Sequence, residues 1–196
     1  MKAYYDQRAP EYDDWYRGTG MHASVERPGW HAEVDRLERF VGGLAPARVL
    51  DVACGTGFLT RHLRGEVVGL DQSASMLAIA AERAPLASLR QGDAFALPFE
   101  DGAFDRVFTA HFYGHFEPAE RATFLAEARR VAAKLVVVDA ALHDGVAPEQ
   151  WQPRKLLDGS RHAVYKRYFS PELLAEELGG GKVELRGRWF VAVSCG

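Results

Sequence analysis

The chain is poor in cysteine: Cys54 and Cys195 are its only two in 196 residues. They lie far apart and form no metal-ligand cluster, and a disulfide is disfavoured because Cys54 falls inside a glycine-rich loop. No apolar run approaches the length of a membrane span. The opening stretch "MKAYYDQRAPEYDDWYRGTG" mixes acids and aromatics where a secretory signal needs a continuous apolar region, which points to the cytoplasm. Basic residues are not in excess: 24 Lys and Arg against 27 Asp and Glu leave a net charge of −3, no footing for a nucleic-acid binder held by phosphate contacts. Internal repeats and low-complexity tracts are also missing. The length suits one domain, 1–196, able to bury its own core.

What is present is an alternation of strand and helix signals. "ARVLDVA" reads as a strand, followed by a helical stretch "FLTRHLR" and a short strand "EVVGL" that ends at Asp71. "SASMLAIAAERA" has Ser73 as N-cap and Met76, Leu77 and Ala80 at helical spacing. "SLRQGDA" and "FDRVFTA" are the third and fourth strands. "EPAERATFLAEARRVA" is a helix with Pro118 in its first turn, and "KLVVVDA" a strand buried on both faces. This succession predicts an α/β fold of the Rossmann-like, doubly wound type, with a mostly parallel sheet. Between Leu142 and Tyr168 no clean periodicity survives, and a loop or short helices are expected. "PELLAEEL" is a short helix, and "KVELRGRWFVAVS" a terminal antiparallel hairpin across Arg186 and Gly187.

The stretch "RVLDVACGTGFLT" poses the functional question, because glycines just past a strand let the backbone approach a ligand closely. A nucleoside triphosphate requires G-x-x-x-x-G-K-[ST], and no lysine follows Gly57. A dinucleotide favours G-x-G-x-x-G. Here Gly55 and Gly57 are followed by Phe58, Leu59 and Thr60, so the third glycine is absent and that reading is weakened. S-adenosylmethionine carries no phosphate and asks only for close backbone and a carboxylate for its ribose. Asp71, at the end of the second strand, meets that need but also serves a dehydrogenase. Gly92 and Asp93, past the third strand, add a carboxylate that can accept from an adenine amino group, with Ala94 and Phe95 offering backbone and apolar surface.

"VLDVACGTG", "VVGLDQSASML" and "QGDAFALPFEDGAFDRVFTAHFYGHF", in this order, resemble the class I S-adenosylmethionine-dependent methyltransferases. The resemblance is closest to the small-molecule branch that includes the ubiquinone and menaquinone methyltransferases, and it covers Ala47 to Ala140. It implies a seven-stranded sheet with a C-terminal antiparallel hairpin. The chain then divides into an N-terminal helical cover (1–40), a cofactor-binding core (41–140) and a substrate-side segment (141–196). The loop Asp51 to Gly57, including Ala53, Cys54 and Gly55, would hold the methionine portion of S-adenosylmethionine. Asp71 would bind the ribose, and Gln72 and Met76 would line the adenine. Gly92, Asp93, Ala94 and Phe95 would complete the adenine site, and Ala110 and His111 would approach the methionine end. Tyr12 is the cover's candidate contact. Ala53 departs from the family, which usually places a glycine there.

The acceptor is expected to be a small molecule, with no nucleic acid, no membrane span and no metal; the oligomeric state is open. If the acceptor arrives protonated, His111, Tyr113 or His115 is the candidate base, all three on the loop after the fourth strand. The aromatics Tyr4, Tyr5, Tyr12, Trp15, Tyr16, Trp30 and Phe40 suit a cover over the cofactor, though packing accounts for most of them. "RKLLDGSRHAVYKRYF", with Arg154, Lys155, Arg161, Lys166 and Arg167, is either a solvated face or a site for an anionic acceptor or a partner protein. Two rivals stand beside methyl transfer: a nicotinamide-dependent oxidoreductase and a non-catalytic S-adenosylmethionine-binding module.

Overall fold

The computed structural model describes residues 2–196. Its centre is β1 (Ala47–Val52), whose residues alternate between two cores: Leu50 and Val52 pack on one face, Val49 on the other. β1 pairs in parallel with β2 (Gly65–Asp71) on one side and β4 (Phe104–Ala110) on the other. β3 (Ser88–Gln91) extends the β2 edge, and β5 (Ala132–Ala140) the β4 edge, both in parallel. The terminal hairpin of β8 (Lys182–Arg186) and β9 (Phe190–Cys195) adds antiparallel through β9. The order β3-β2-β1-β4-β5-β9-β8 is the mostly parallel seven-stranded sheet the sequence predicts. The direction of winding reverses between β1 and β4, and ligands of open α/β sheets bind at such a reversal, beyond the carboxyl ends of the strands.

α3 (Trp30–Gly43) covers one face with Val34, Leu37 and Val41. α5 (Pro118–Val131) and α6 (Pro171–Glu177) cover the other with Phe124, Leu125, Ala128, Val131 and Leu174. A capping box opens α5, where Glu117 and Glu120 each accept from the other's backbone amide. α4 (Ala74–Arg83) starts at Ser73, whose hydroxyl accepts from the Met76 amide. α1 (Lys2–Arg8), a 3-10 turn and α2 (Asp14–Arg17) form the N-terminal cover. Among the described residues, no helix is long and apolar enough to cross a membrane.

Two sequence expectations are corrected. "FLTRHLR" is not a helix but a bend with one 3-10 turn, Thr60–His62. The Thr60 hydroxyl donates to Asp51 at 2.6 Å, and Phe58, Leu59 and Leu63 reach the core from the bend. The segment between Leu142 and Tyr168 is neither loop nor short helices: β6 (Glu149–Lys155) and β7 (Arg161–Arg167) form a separate antiparallel ribbon. One face of that ribbon is polar because it looks onto a cavity instead of a core, and Pro153 sits inside β6, so the usual strand signals fail.

Candidate functional site

The strand ends at the reversal frame a cavity of about 270 Å³, near the lower end of small-ligand clefts. Ala53 and Gly55 come from the loop after β1, Asp71 and Gln72 from the end of β2, and Met76 from α4. Gly92, Asp93, Ala94 and Phe95 follow β3, and Ala110 and His111 close β4. Tyr12 reaches in from the cover, and His115 from the turn before α5. The sequence reading had named each of these.

Asp71 is the anchor. One carboxylate oxygen accepts from the Gly55 amide at 2.9 Å and the other from the Ser73 amide at 2.8 Å. The side chain thereby ties the glycine loop to the start of α4. A carboxylate offers about four lone-pair positions, so accepting capacity remains for ligand hydroxyls. Burial pushes its pKa up despite these amides. Gly55, at φ 54°, adopts a backbone that glycine tolerates without strain. Ala53 holds φ 59° without being glycine, so this departure from the family keeps the left-handed turn at a steric cost. The Asp93 carboxylate accepts from the Phe95 amide at 2.9 Å, shaping the turn that carries Ala94 and Phe95 into the cavity.

Four named residues are not brought to this cavity. Asp51 and Cys54 line a small void of about 20 Å³ behind the loop, with Tyr12, Tyr16 and Ala53. Asp51 is 2 % exposed, and burial pushes its carboxyl from 3.8 up to about 7, against the lowering effect of the Thr60 hydroxyl. Gly57 serves packing: a Cβ there would meet Ala80 of α4 at 3.2 Å. Tyr113 lies in the core, with its hydroxyl donating to Glu177 at 3.3 Å, so it is withdrawn as a candidate base.

His111 and His115 remain. His111 is 8 % exposed, held at φ 54°, and neither ring nitrogen has a hydrogen-bond partner. Trp15 and Phe190 enclose it, with ring centroids 4.8 and 5.4 Å away. The Nδ1 of His115 lies 2.7 Å from the Tyr165 carbonyl oxygen. A carbonyl only accepts, so Nδ1 carries the hydrogen and Nε2 keeps its lone pair. Burial pushes both imidazoles down to about 3, leaving them neutral at neutral pH. Beyond them opens a second cavity of about 300 Å³, and Tyr5, Tyr12, His111 and His115 line both.

The cover is fastened over this site. Ser73 donates to Asp6 at 2.5 Å, Thr56 donates to Asp13 at 2.6 Å, and Arg83 pairs with Asp13 at 2.5 Å. Sequence reasoning named Tyr5 only among the aromatics of the cover, and it missed Leu70, Phe112, Phe116 and Glu120 as lining residues and Asp6 and Asp13 as fasteners. The repeated aromatics of "HFYGHF" were the signal for Phe112 and Phe116; nothing local marked Asp6 or Asp13.

Fold and site together define a Rossmann-like protein of the methyltransferase type, with a rim carboxylate between a glycine loop and a second cavity. The methyltransferase-domain family matches residues 49–134. Demethylmenaquinone methyltransferase of Thermus thermophilus is 44% identical over 107 residues, 48% of this chain and 48% of that protein. The dTDP-3-amino-3,6-dideoxy-alpha-D-glucopyranose N,N-dimethyltransferase of Streptomyces fradiae is 36% identical over 165 residues, 80% of this chain and 58% of that protein. The solved complex of DhpI with SAH matches with a TM-score of 0.76 and 30% identity, covering 99% of this chain and 93% of that one. The chain belongs to the S-adenosylmethionine-dependent methyltransferase family. It spans about half the length of the quinone methyltransferases it matches.

Proposed function

We propose that the protein transfers a methyl group from S-adenosylmethionine to a small-molecule acceptor seated in the second cavity. The observation that carries this reading is the shared wall: Tyr5, Tyr12, His111 and His115 face both cavities, so a donor in one and an acceptor in the other meet there. The first cavity fits the cofactor's parts. Asp71 offers acceptors to ribose hydroxyls, Met76, Ala94 and Phe95 offer apolar surface to adenine, and Asp93 offers a carboxylate to its amino group. The backbone of Ala53 and Gly55, at the edge of the same cavity, faces the methionine end. When bound, the cofactor supplies a methyl group made electrophilic by a sulfonium.

The residues of this chain do the rest by placement. The aromatic cage of Trp15, Tyr16 and Phe190 around His111 keeps water from the wall. His115, its tautomer fixed by Tyr165, presents Nε2 as a hydrogen-bond acceptor that orients the incoming nucleophile, with its basicity held low by burial. Holding the reactants about 3–3.5 Å apart supplies much of the acceleration by removing translational freedom.

Isothermal titration with S-adenosylhomocysteine tests the first cavity, and labelled S-adenosylmethionine incubated with an acceptor panel tests transfer. Binding of NADH with no binding of S-adenosylhomocysteine overturns the reading. Cofactor binding without transfer to any acceptor favours the non-catalytic alternative.

A further inference from the structure

The second cavity is lined by cations whose charge the protein leaves largely unmatched. Arg8 donates to the Tyr4 hydroxyl at 2.9 Å and lies 4.8 Å over the Tyr12 ring. Arg27 donates to the Trp15 carbonyl at 3.0 Å and lies 3.6 Å over the Trp30 ring. Arg154, on the polar face of the β6–β7 ribbon, donates to Gln152, and its Nε is buried with no partner. Among the described residues, none of these three guanidiniums forms an ion pair. Lys166 differs, because its ammonium is 2.6 Å from Asp139. The single acid of the lining, Glu26, is exposed and pairs with none of them. Glu11 and Asp14 lie beyond, lining a third cavity with Arg8 and Arg154, and also form no ion pair with them.

Three neutral-partnered guanidiniums around one partly dry space repel one another, and an entering anion would relieve that repulsion while making charge-assisted, often bidentate bonds. Their convergence is visible at His22, which burial first, and then Arg8, Arg27 and Arg154, push down to about 4. The three come from distant parts of the chain: the end of α1, the segment before α3, and β6. A merely solvated basic face would not gather them around one concave volume. The two imidazoles on the shared wall are neutral, so the positive charge is concentrated away from the place where the methyl group arrives.

We propose that the second cavity takes a small acceptor bearing an oxyanion, a carboxylate or phosphoryl group, which Arg8, Arg27 and Arg154 hold while its nucleophilic atom faces the wall of Tyr5, Tyr12, His111 and His115. The proposal rests on the methyl-transfer reading and narrows it. It separates this chain from an acceptor that is a neutral quinol, which has no use for three guanidiniums.

The test titrates the full chain, with and without saturating S-adenosylhomocysteine, against inorganic phosphate, acetate and hydroquinone, followed by calorimetry and tryptophan fluorescence. Saturable binding of phosphate or acetate is expected, and which of the two binds names the source of the oxyanion. Arg154→Gln and Arg27→Gln should each weaken it about tenfold or more, while the exposed Arg36→Gln leaves it unchanged and S-adenosylhomocysteine affinity holds in all three. The proposal is overturned if neither anion binds, if hydroquinone alone binds, or if both arginine variants bind anions as the parent does. Failure of S-adenosylhomocysteine to bind strikes the methyl-transfer reading instead, and the cofactor-free titration still judges the anion site.

Discussion

Replacing Asp71 with alanine removes a buried side chain that both shapes the first cavity and faces into it. The carboxylate holds the Gly55 and Ser73 amides at 2.9 and 2.8 Å and keeps lone pairs for ligand hydroxyls. Hydrogen bonds to a charged group contribute about 1.5–3 kcal/mol each, and water entering the emptied space recovers part of whatever is lost. The expected net weakening of S-adenosylhomocysteine is therefore about 1.5–3 kcal/mol, roughly 10- to 150-fold in Kd. The two freed amides also cost stability, about 1–3 kcal/mol each if dry and less where water reaches them from the cavity. Calorimetry measures the affinity, and urea denaturation of the same sample establishes that the variant is folded. Asp93→Ala is the companion: its carboxylate is exposed and its visible protein bond is a single turn, so it should cost about 1 kcal/mol or less. A folded Asp71→Ala protein that binds the ligand within a factor of about two of the parent refutes the argument for this carboxylate.

Asp51 should give the fold an unusual pH response. Its pKa is raised from 3.8 to about 7, so between those values the unfolded chain ionises while the folded chain stays protonated. Stability from this group is complete at low pH and falls as pH rises through about 7, by about 2–4 kcal/mol in all. Asp51→Asn should flatten that decline in urea midpoints across the range, and an unaltered slope contradicts the assignment. Ala53→Gly relieves a left-handed alanine at about 1–2 kcal/mol but frees the unfolded backbone by about 0.5–1 kcal/mol, so a small gain in stability is expected. A loss in the urea midpoint would show that the alanine methyl contributes packing. Tyr113→Phe should leave turnover intact, since its hydroxyl is spent on Glu177, whereas His115→Gln should lower kcat by about 10²-fold with S-adenosylhomocysteine affinity retained. The reverse pattern would return Tyr113 to the reaction.

Much of the cofactor half was legible because strand ends at a winding reversal fix where a side chain goes. "KLVVVDA" announced a strand buried on both faces, and Asp71 and Asp93 could be placed at one rim by their positions just past two strands. Asp51 misled for the same reason: it sits at the end of β1, but its side chain turns to Thr60, away from the main cavity. Tyr113 misled because three polar aromatics in one loop cannot all point the same way, and the 3-10 turn Tyr113–His115 sends its ring into the core. The acceptor half was hidden. Arg8, Arg27 and Arg154 are ordinary surface letters until tertiary folding gathers them, and a ribbon whose inner face is polar shows no apolar alternation to detect.

The fastened cover joins two events that would otherwise be separate. Tyr5 and Tyr12 roof both chambers and Arg8 the second, while the Asp6–Ser73 and Asp13–Thr56 bonds hold that roof on one side and the Leu157 amide, donating to Glu11 at 3.0 Å, holds it on the other. Displacing that roof uncovers both compartments together.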